Sequence, residues 1–254
     1  MTHAIRHILL DIEGTTCPVS FVSQVLFPYA QAQLQTYLEQ HDKDETLLAL
    51  TAELQRSWQQ ETEPEAVALR DELHASSPDQ QTKLAPAAVL PYLRWLNRQD
   101  RKLTAWKDLQ GLIWQEGYNS GAIRADLYAD VGPTLRQWHR EGLTLSVYSS
   151  GSVAAQKLLY GHTQDGDLRP LFSHWFDTRV GIKQEPESYR TILQTLDCEG
   201  EEVLFVSDSV DELHAAQQCG IHCRFSERPG NQPQDPGRFQ SIQSLAQINL
   251  TAEI

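Results

Sequence analysis

The period of apolar and polar positions changes twice along the chain. At the start, residues 5–12 form a nearly continuous apolar run. In "HILLDIEGTT" (7–16), Ile8, Leu9 and Leu10 lead into Asp11, Ile12 and Glu13 and then a Gly14-Thr15-Thr16 turn. Such a run, stopped by glycine, predicts a strand buried on both faces of a parallel sheet. From about residue 21 to 125 the apolar positions recur every three or four residues, as in "LFPYAQAQLQTYLEQ", "DETLLALTAELQRSWQQE", "EAVALRDELHA" and "TAWKDLQGLIWQEGY". This spacing predicts helices, and the Glu, Gln, Ala and Leu that dominate these segments are good helix formers. Pro28, Pro64, Pro86 and Pro91 punctuate them.

Beyond about residue 130, short apolar runs alternate with helical patterns. "VGPTLRQWHREG" predicts a helix ended by Gly142, "LTLSVYSS" a strand, and "SVAAQKLLYG" a helix capped near Ser152. "PLFSHWFDT" holds a short strand and "PESYRTILQTLD" a helix with Pro186 in its first turn. "EEVLFVSDS", "VDELHAAQQCG" and "IHCRFS" continue as strand, helix and strand, and "SERPGNQPQDPG" is a loop. There are no repeats or low-complexity tracts. The alternation predicts an α/β fold with a parallel sheet, interrupted after its first strand by an all-helical insertion. Residues 1–20 and 126–254 are expected to form the core, and 21–125 the insertion. Because the insertion hangs on the loop that carries Asp11 and Glu13, it is expected to act as a lid. Trp58, Trp95, Trp106 and Trp114 are expected in its core.

Composition narrows the function. The 254 residues are 40% hydrophobic and 22% charged, an ordinary globular mix, and the formal net charge is −13. That charge argues against nucleic acid and against anionic membranes, both of which need a positive face. An anionic substrate would have to be drawn locally, by a metal, a lysine or helix N-termini. No apolar run approaches the roughly 18 residues of a membrane span, and the first residues lack the pattern of a signal peptide. Four sparse cysteines form no C-x-x-C pair, and a cytoplasmic location is expected. "CGIHC" (219–223) reads as a helix end at Gly220 followed by a strand with His222 and Cys223. The nine histidines show no convincing ligand spacing.

The strand ends carry the chemistry. Ligands of parallel sheets bind at the carboxyl ends of strands. There the chain places Asp11 and Glu13, then "VYSSGS" (147–152), Lys183 in "GIKQEP", and Asp208, Asp211 and Glu212 in "VSDSVDE". An ionised carboxylate can attack phosphorus and become an aspartyl-phosphate, and the leaving oxygen then needs a nearby acid. Asp11 suits the first role and Glu13 the second, because residues i and i+2 leaving a strand share a side. Asp11 and Asp208 offer the hard oxygens that Mg²⁺ prefers. Lys183 suits the phosphate and the nucleophile's charge. Ser149 and the backbone amides near Ser150 and Gly151 suit phosphate oxygens at a helix start. No G-x-S-x-G elbow surrounds these serines, and Ser152 reads as a helix cap.

D-x-E-G-T-T on the first strand, strand-end serines, a lysine before a helix and a late acidic strand end resemble the haloacid dehalogenase superfamily. The chain departs from most of its phosphatases in having Glu13 where they have Asp. "DIEGTTCPVSFV", "YSSGSVAAQKLL", "FVSDSVDEL" and the insertion's "WQEGYNSGAI" resemble its methionine-salvage branch, the acireductone synthase or enolase-phosphatase family, over nearly the whole chain. The resemblance implies a Rossmann-like core with a helical cap domain and a Mg²⁺-dependent enzyme. Such an enzyme enolises 2,3-diketo-5-methylthiopentyl-1-phosphate and then removes its phosphate. It implies Asp11 as nucleophile and metal ligand, and Glu13 as acid/base touching the metal through its backbone carbonyl. Asp208 would be a metal ligand, and Ser149, Ser150 and Lys183 would bind substrate. The base for enolisation is left open between Glu13 and a cap residue. Asp211 would act through water, whereas Ser209-x-x-Glu212 reads as a capping box, which would make Glu212 structural. "EGYNSG" (116–121) is expected to be a turn leaving a helix, and a specificity loop. The alternative is a Mg²⁺-dependent phosphomonoesterase of the same scaffold acting on another small phosphorylated metabolite. A monomer is expected, with no macromolecular partner.

Overall fold

The computed structural model describes residues 4–76, 85–101 and 103–250. Its described residues divide into two compact units, one within 1–25 and 123–254, the other within 26–122.

The first unit is built on a six-stranded, all-parallel sheet. The strands are β1 (His7–Leu10), β2 (Thr144–Tyr148), β3 (Phe172–Phe176), β4 (Val203–Ser207), β5 (His222–Ser226) and β6 (Gln240–Ile242), in spatial order β3-β2-β1-β4-β5-β6. Ile8, Leu9 and Leu10 are wholly buried, as is all of β4, which is why these strands read as unbroken apolar runs. The order of strands reverses at β1. β2 and β4 flank it in register, so Leu10 pairs with both Val147 and Val206. The crevice at such a reversal is where open parallel sheets bind ligands. One face of the sheet packs Leu9, Tyr148, Phe176 and Phe205 against Tyr189 and Ile192.

In the second unit, α2 (Phe27–Gln40), α3 (Glu45–Gln60), α4 (Pro64–Ser76), α5 (Leu90–Arg98) and α6 (Thr104–Asn119) follow the short α1 (Val19–Phe21) of the first unit. Leu34, Leu38, Leu54, Trp58, Trp95 and Trp106 lie in its core, and Trp114 packs against it half-buried. The rings of Trp58, Tyr92 and Trp95 stack at centroid separations of 5.2 and 5.7 Å. The chain then returns to the sheet through α7 (Val131–Arg140), α8 (Val153–Gly161), α9 (Pro186–Leu196) and α10 (Val210–Gln217). Among the described residues no helix is long and apolar enough to cross a membrane. The four cysteines are free thiols.

Four local features differ from the pattern in the sequence. β1 stops at Leu10 instead of running to Ile12. Pro91 lies inside the first turn of α5, where a missing N–H costs nothing, so it starts a helix that the proline punctuation hid. β6 has only three residues, too few to register as a period after a Pro- and Gly-rich loop. In "EGYNSG", Gly117 and a buried Tyr118 belong to the last turn of α6. The chain leaves the helix at Ser120, with Gly121 at φ +77°. Asn119 and Ser120 line an open cavity of about 440 Å³ with Tyr37, His41 and Glu116.

Candidate active site

The site begins where β1 ends. The Asp11 amide donates to Val206 O at 3.0 Å, extending the ladder by one step and setting the side chain at the carboxyl edge of the sheet, 6% exposed. The chain then turns sharply. The amides of Thr15, Thr16 and Cys17 all donate to Ile12 O, at 3.2, 2.9 and 2.9 Å, and Gly14 N donates to Cys17 O at 2.8 Å. The turn needs φ +69° at Gly14, a conformation that favours glycine. Because the strand has already ended, its two-residue alternation does not reach Glu13. Asp11 is buried and Glu13 exposed.

Lys183 arrives from the loop before α9 and is 5% exposed. Its Nζ donates to Asp11 Oδ1 at 2.6 Å and lies 2.7 Å from Glu212 Oε2. The Tyr148 ring is 5.6 Å away, and Tyr189 Oη donates to the Lys183 carbonyl at 2.8 Å. Burial alone would lower the lysine's pKa, but the two carboxylates hold it well above its ordinary value.

Glu212 corrects the sequence reading. Its amide does donate to Ser209 Oγ, at 3.5 Å, so half of the expected capping box is present. Its carboxylate, however, bonds Lys183 and accepts from Ser207 Oγ at 2.9 Å instead of returning to the Ser209 amide. Burial first, then the charge of Asp11, raise its pKa, against Lys183. In the sequence, Ser209-x-x-Glu212 satisfied a local rule, and only the fold could bring in a lysine from another loop. Asp211, its neighbour, is exposed.

Asp208 follows β4 and is partly buried. Burial raises its carboxyl to about 7, with the charges of Asp11 and Glu212 adding to the effect and Lys183 opposing it. The Gly14 backbone packs so closely that a Cβ there would overlap Asp208 Oδ2.

On the other side of β1, Ser149 follows β2 and is buried. Its Oγ accepts from the Gly151 amide at 3.2 Å, which leaves the hydroxyl proton available to a ligand. Gln156 Nε2 holds this loop through the carbonyls of Gly151 and Phe176, both at 2.8 Å. Ser150 is exposed. Ser152 accepts from Ala155 N at 3.3 Å and caps α8.

Among the described residues, no three His, Cys, Asp or Glu side chains form a metal cage. A divalent cation held by carboxylates and a carbonyl does not require one. Asp11 and Asp208 supply hard, negatively charged oxygens just past the ends of adjacent strands, and at Gly14 no side chain intrudes on the Asp208 carboxylate. That donor set fits Mg²⁺, which takes few protein carboxylates and keeps waters.

The sequence profile of the haloacid dehalogenase-like hydrolases matches residues 5–220. Enolase-phosphatase E1 of Synechococcus sp. (strain RCC307) is 51% identical over 228 residues, covering 90% of this chain and 87% of its own. Enolase-phosphatase E1 of Parasynechococcus marenigrum (strain WH8102) is 45% identical, over 97% of this chain and 98% of its own. The crystal structure of the Unknown transcript 4 protein of Saccharomyces cerevisiae superposes with a TM-score of 0.70 at 33% identity, covering 96% of this chain and all of that one.

Proposed function

The chain belongs to the haloacid dehalogenase-like hydrolases and, within them, to the enolase-phosphatase E1 family; from that membership we propose how its residues divide the reaction. Its activity is that of an acireductone synthase of methionine salvage, a hydrolase acting on a phosphoric monoester. It converts 2,3-diketo-5-methylthiopentyl-1-phosphate to 1,2-dihydroxy-3-keto-5-methylthiopentene and phosphate.

In this reading Asp11 takes the phosphoryl group. Its free oxygen attacks phosphorus, the bond from phosphorus to the substrate oxygen breaks, and Glu13 protonates the departing oxygen. Glu13 then removes a proton from the water that cleaves the aspartyl-phosphate, which restores both residues. Glu13 is exposed, which suits a group that must exchange protons with water. Lys183 neutralises the charge of Asp11 and offsets charge on the phosphoryl group. Glu212 holds Lys183 from the far side, so that the ammonium stays aimed at Asp11. Ser149 and the amides near Ser150 and Gly151 bind phosphate oxygens.

Haloacid dehalogenase phosphatases are generally Mg²⁺-dependent. Asp11, Asp208 and the Glu13 carbonyl would hold the ion, which supplies charge neutralisation for phosphoryl transfer and acidifies the carbon beside a bound carbonyl. No membrane or nucleic-acid partner enters the scheme, and a cytoplasmic monomer is the form proposed.

The observation that carries this assignment is the Lys183–Asp11 bond at 2.6 Å, at the point where the strand order reverses. The test is to mix the protein with Mg²⁺ and the diketone phosphate, following ultraviolet absorbance for the enol and free phosphate in parallel. Both signals are expected. Phosphate release from simple esters with none from the diketone would reassign the substrate.

A further inference from the structure

Asn231 lies in the loop after β5, outside the machinery described above. Its amide orientation is fixed by two carbonyls, because Nδ2 donates to Gly14 O at 2.9 Å and to Ser226 O at 3.0 Å. A flipped amide would set oxygen against both carbonyl oxygens, so the network itself assigns the two atoms. Oδ1 therefore faces away from them. It is buried and has no hydrogen-bond partner among the described residues.

The position of this orphaned acceptor is specific. A Cβ built on Gly14 would lie 2.9 Å from Asn231 Oδ1 and would overlap Asp208 Oδ2. Two acceptor oxygens, one amide and one carboxylate, thus border the same small space beside the nucleophile's loop. Buried acceptors are normally satisfied, and an orphaned one beside a carboxylate calls for a donor.

The loop is held firmly enough for this to be a built position. Ser226 Oγ donates to Gly14 O at 2.9 Å, and Arg228 Nε donates to Thr15 O at 3.2 Å. Arg228 in turn grips both carboxylate oxygens of Asp130 at 2.9 Å and donates to Gln243 O at 2.6 Å. Ser226 and Arg228 are both buried.

We propose that Asn231 is a positioning residue for the divalent cation, its Oδ1 accepting a hydrogen bond from a water bound to that ion. This rests on the reading of Asp11 and Asp208 as the ion's ligands. A water on Mg²⁺ has its lone pair engaged and presents only donors, which is the complement that Asn231 Oδ1 lacks. Mg²⁺ keeps several waters when few protein carboxylates bind it. Partners one layer out commonly set metal affinity by ten-fold or more.

The test is direct cation binding by the full chain. Mn²⁺ is titrated and its free fraction read by electron paramagnetic resonance, with Mg²⁺ as competitor. Asn231→Leu keeps the side chain's shape but removes the acceptor, and it should weaken binding by about ten-fold or more. Ser226→Ala loosens the same Gly14 carbonyl but leaves Oδ1 in place, and should bind within about two-fold of the native chain. Asn231→Ala serves the same comparison if the leucine variant unfolds. Unchanged affinity in the Asn231 variants would overturn the proposal. So would equal weakening in Ser226→Ala, since the effect would then run through the Gly14 turn. A native chain that binds no Mn²⁺ would instead overturn the ligand assignment itself, and this proposal with it.

Discussion

Lys183 Nζ donates to Asp11 Oδ1 at 2.6 Å across 172 positions of sequence, and Glu212 accepts from the same ammonium at 2.7 Å. One buried cation therefore serves two carboxylates. It keeps the first available as a nucleophile and is itself held by the second.

Asp11→Asn is the sharpest test of the nucleophile. The change is nearly isosteric, and Lys183 keeps its bond to Glu212. The variant should fold with native circular dichroism and lose phosphate release by about a thousand-fold or more. Native turnover would remove the aspartyl-phosphate route.

Lys183→Met should lose at least about a hundred-fold in turnover, since it removes the only side-chain cation bonded to Asp11 among the described residues. It should also cost roughly 3–5 kcal/mol of stability in urea melts, because it strands two buried carboxylates. Burial and Asp11 already raise the Glu212 carboxyl. A group raised in the folded state favours folding at low pH, so the deficit should narrow as pH falls from neutrality. A deficit independent of pH would argue that the carboxylates are relieved in another way.

Gly14→Ala combines two penalties. At φ +69° a side chain costs about 1–2 kcal/mol, and the new Cβ overlaps the Asp208 carboxylate. The variant should be less stable by at least that much and need more Mg²⁺ for half-maximal activity. Native Mg²⁺ dependence would show that Asp208 does not hold the ion.

Arg228 and Asp130 govern acid stability. Burial alone would raise the Asp130 carboxyl, but its bonds to Arg228, the Leu245 amide and Ser244 keep it below the ordinary 3.8. A group lowered in the folded state contributes stability above its unfolded value and loses it as pH falls further. Unfolding free energy should therefore drop more steeply below about pH 4 in the native chain than in Asp130→Asn. Arg228→Met, which leaves Asp130 bonded only to neutral donors, should cost roughly 3–5 kcal/mol at neutral pH. Parallel pH profiles for the native chain and Asp130→Asn would count against this account.

Much of the architecture was legible in the chain because it is written in local periods. An apolar run reads as a strand buried on both faces, and recurrence every three or four residues reads as a helix. Asp11, Ser149 and Asp208 stood out because they follow apolar strands at the sheet's ligand-binding edge, and Lys183, which alone reads as a solvated loop lysine, stood out only as a member of that ordered set. β6 was too short to show a period, and Pro91 read as a boundary instead of a helix start.

What only the tertiary structure decided is who partners whom. Glu212 satisfied a capping rule in the sequence and turned out to hold Lys183. Asp11 and Glu13, two residues apart, lie on opposite sides of the burial divide because the strand's hydrogen-bonded ladder stops at Asp11 and the chain then turns at Gly14. Asn231 and Arg228 looked like parts of a polar loop, yet they bond the carbonyls of Gly14 and Thr15 from more than two hundred positions away. Sequence periodicity reports which face of an element is buried, since burial repeats with the element's own geometry. Hydrogen bonds and ion pairs between distant loops leave no such period, and they exist only once the sheet has brought the strand ends together.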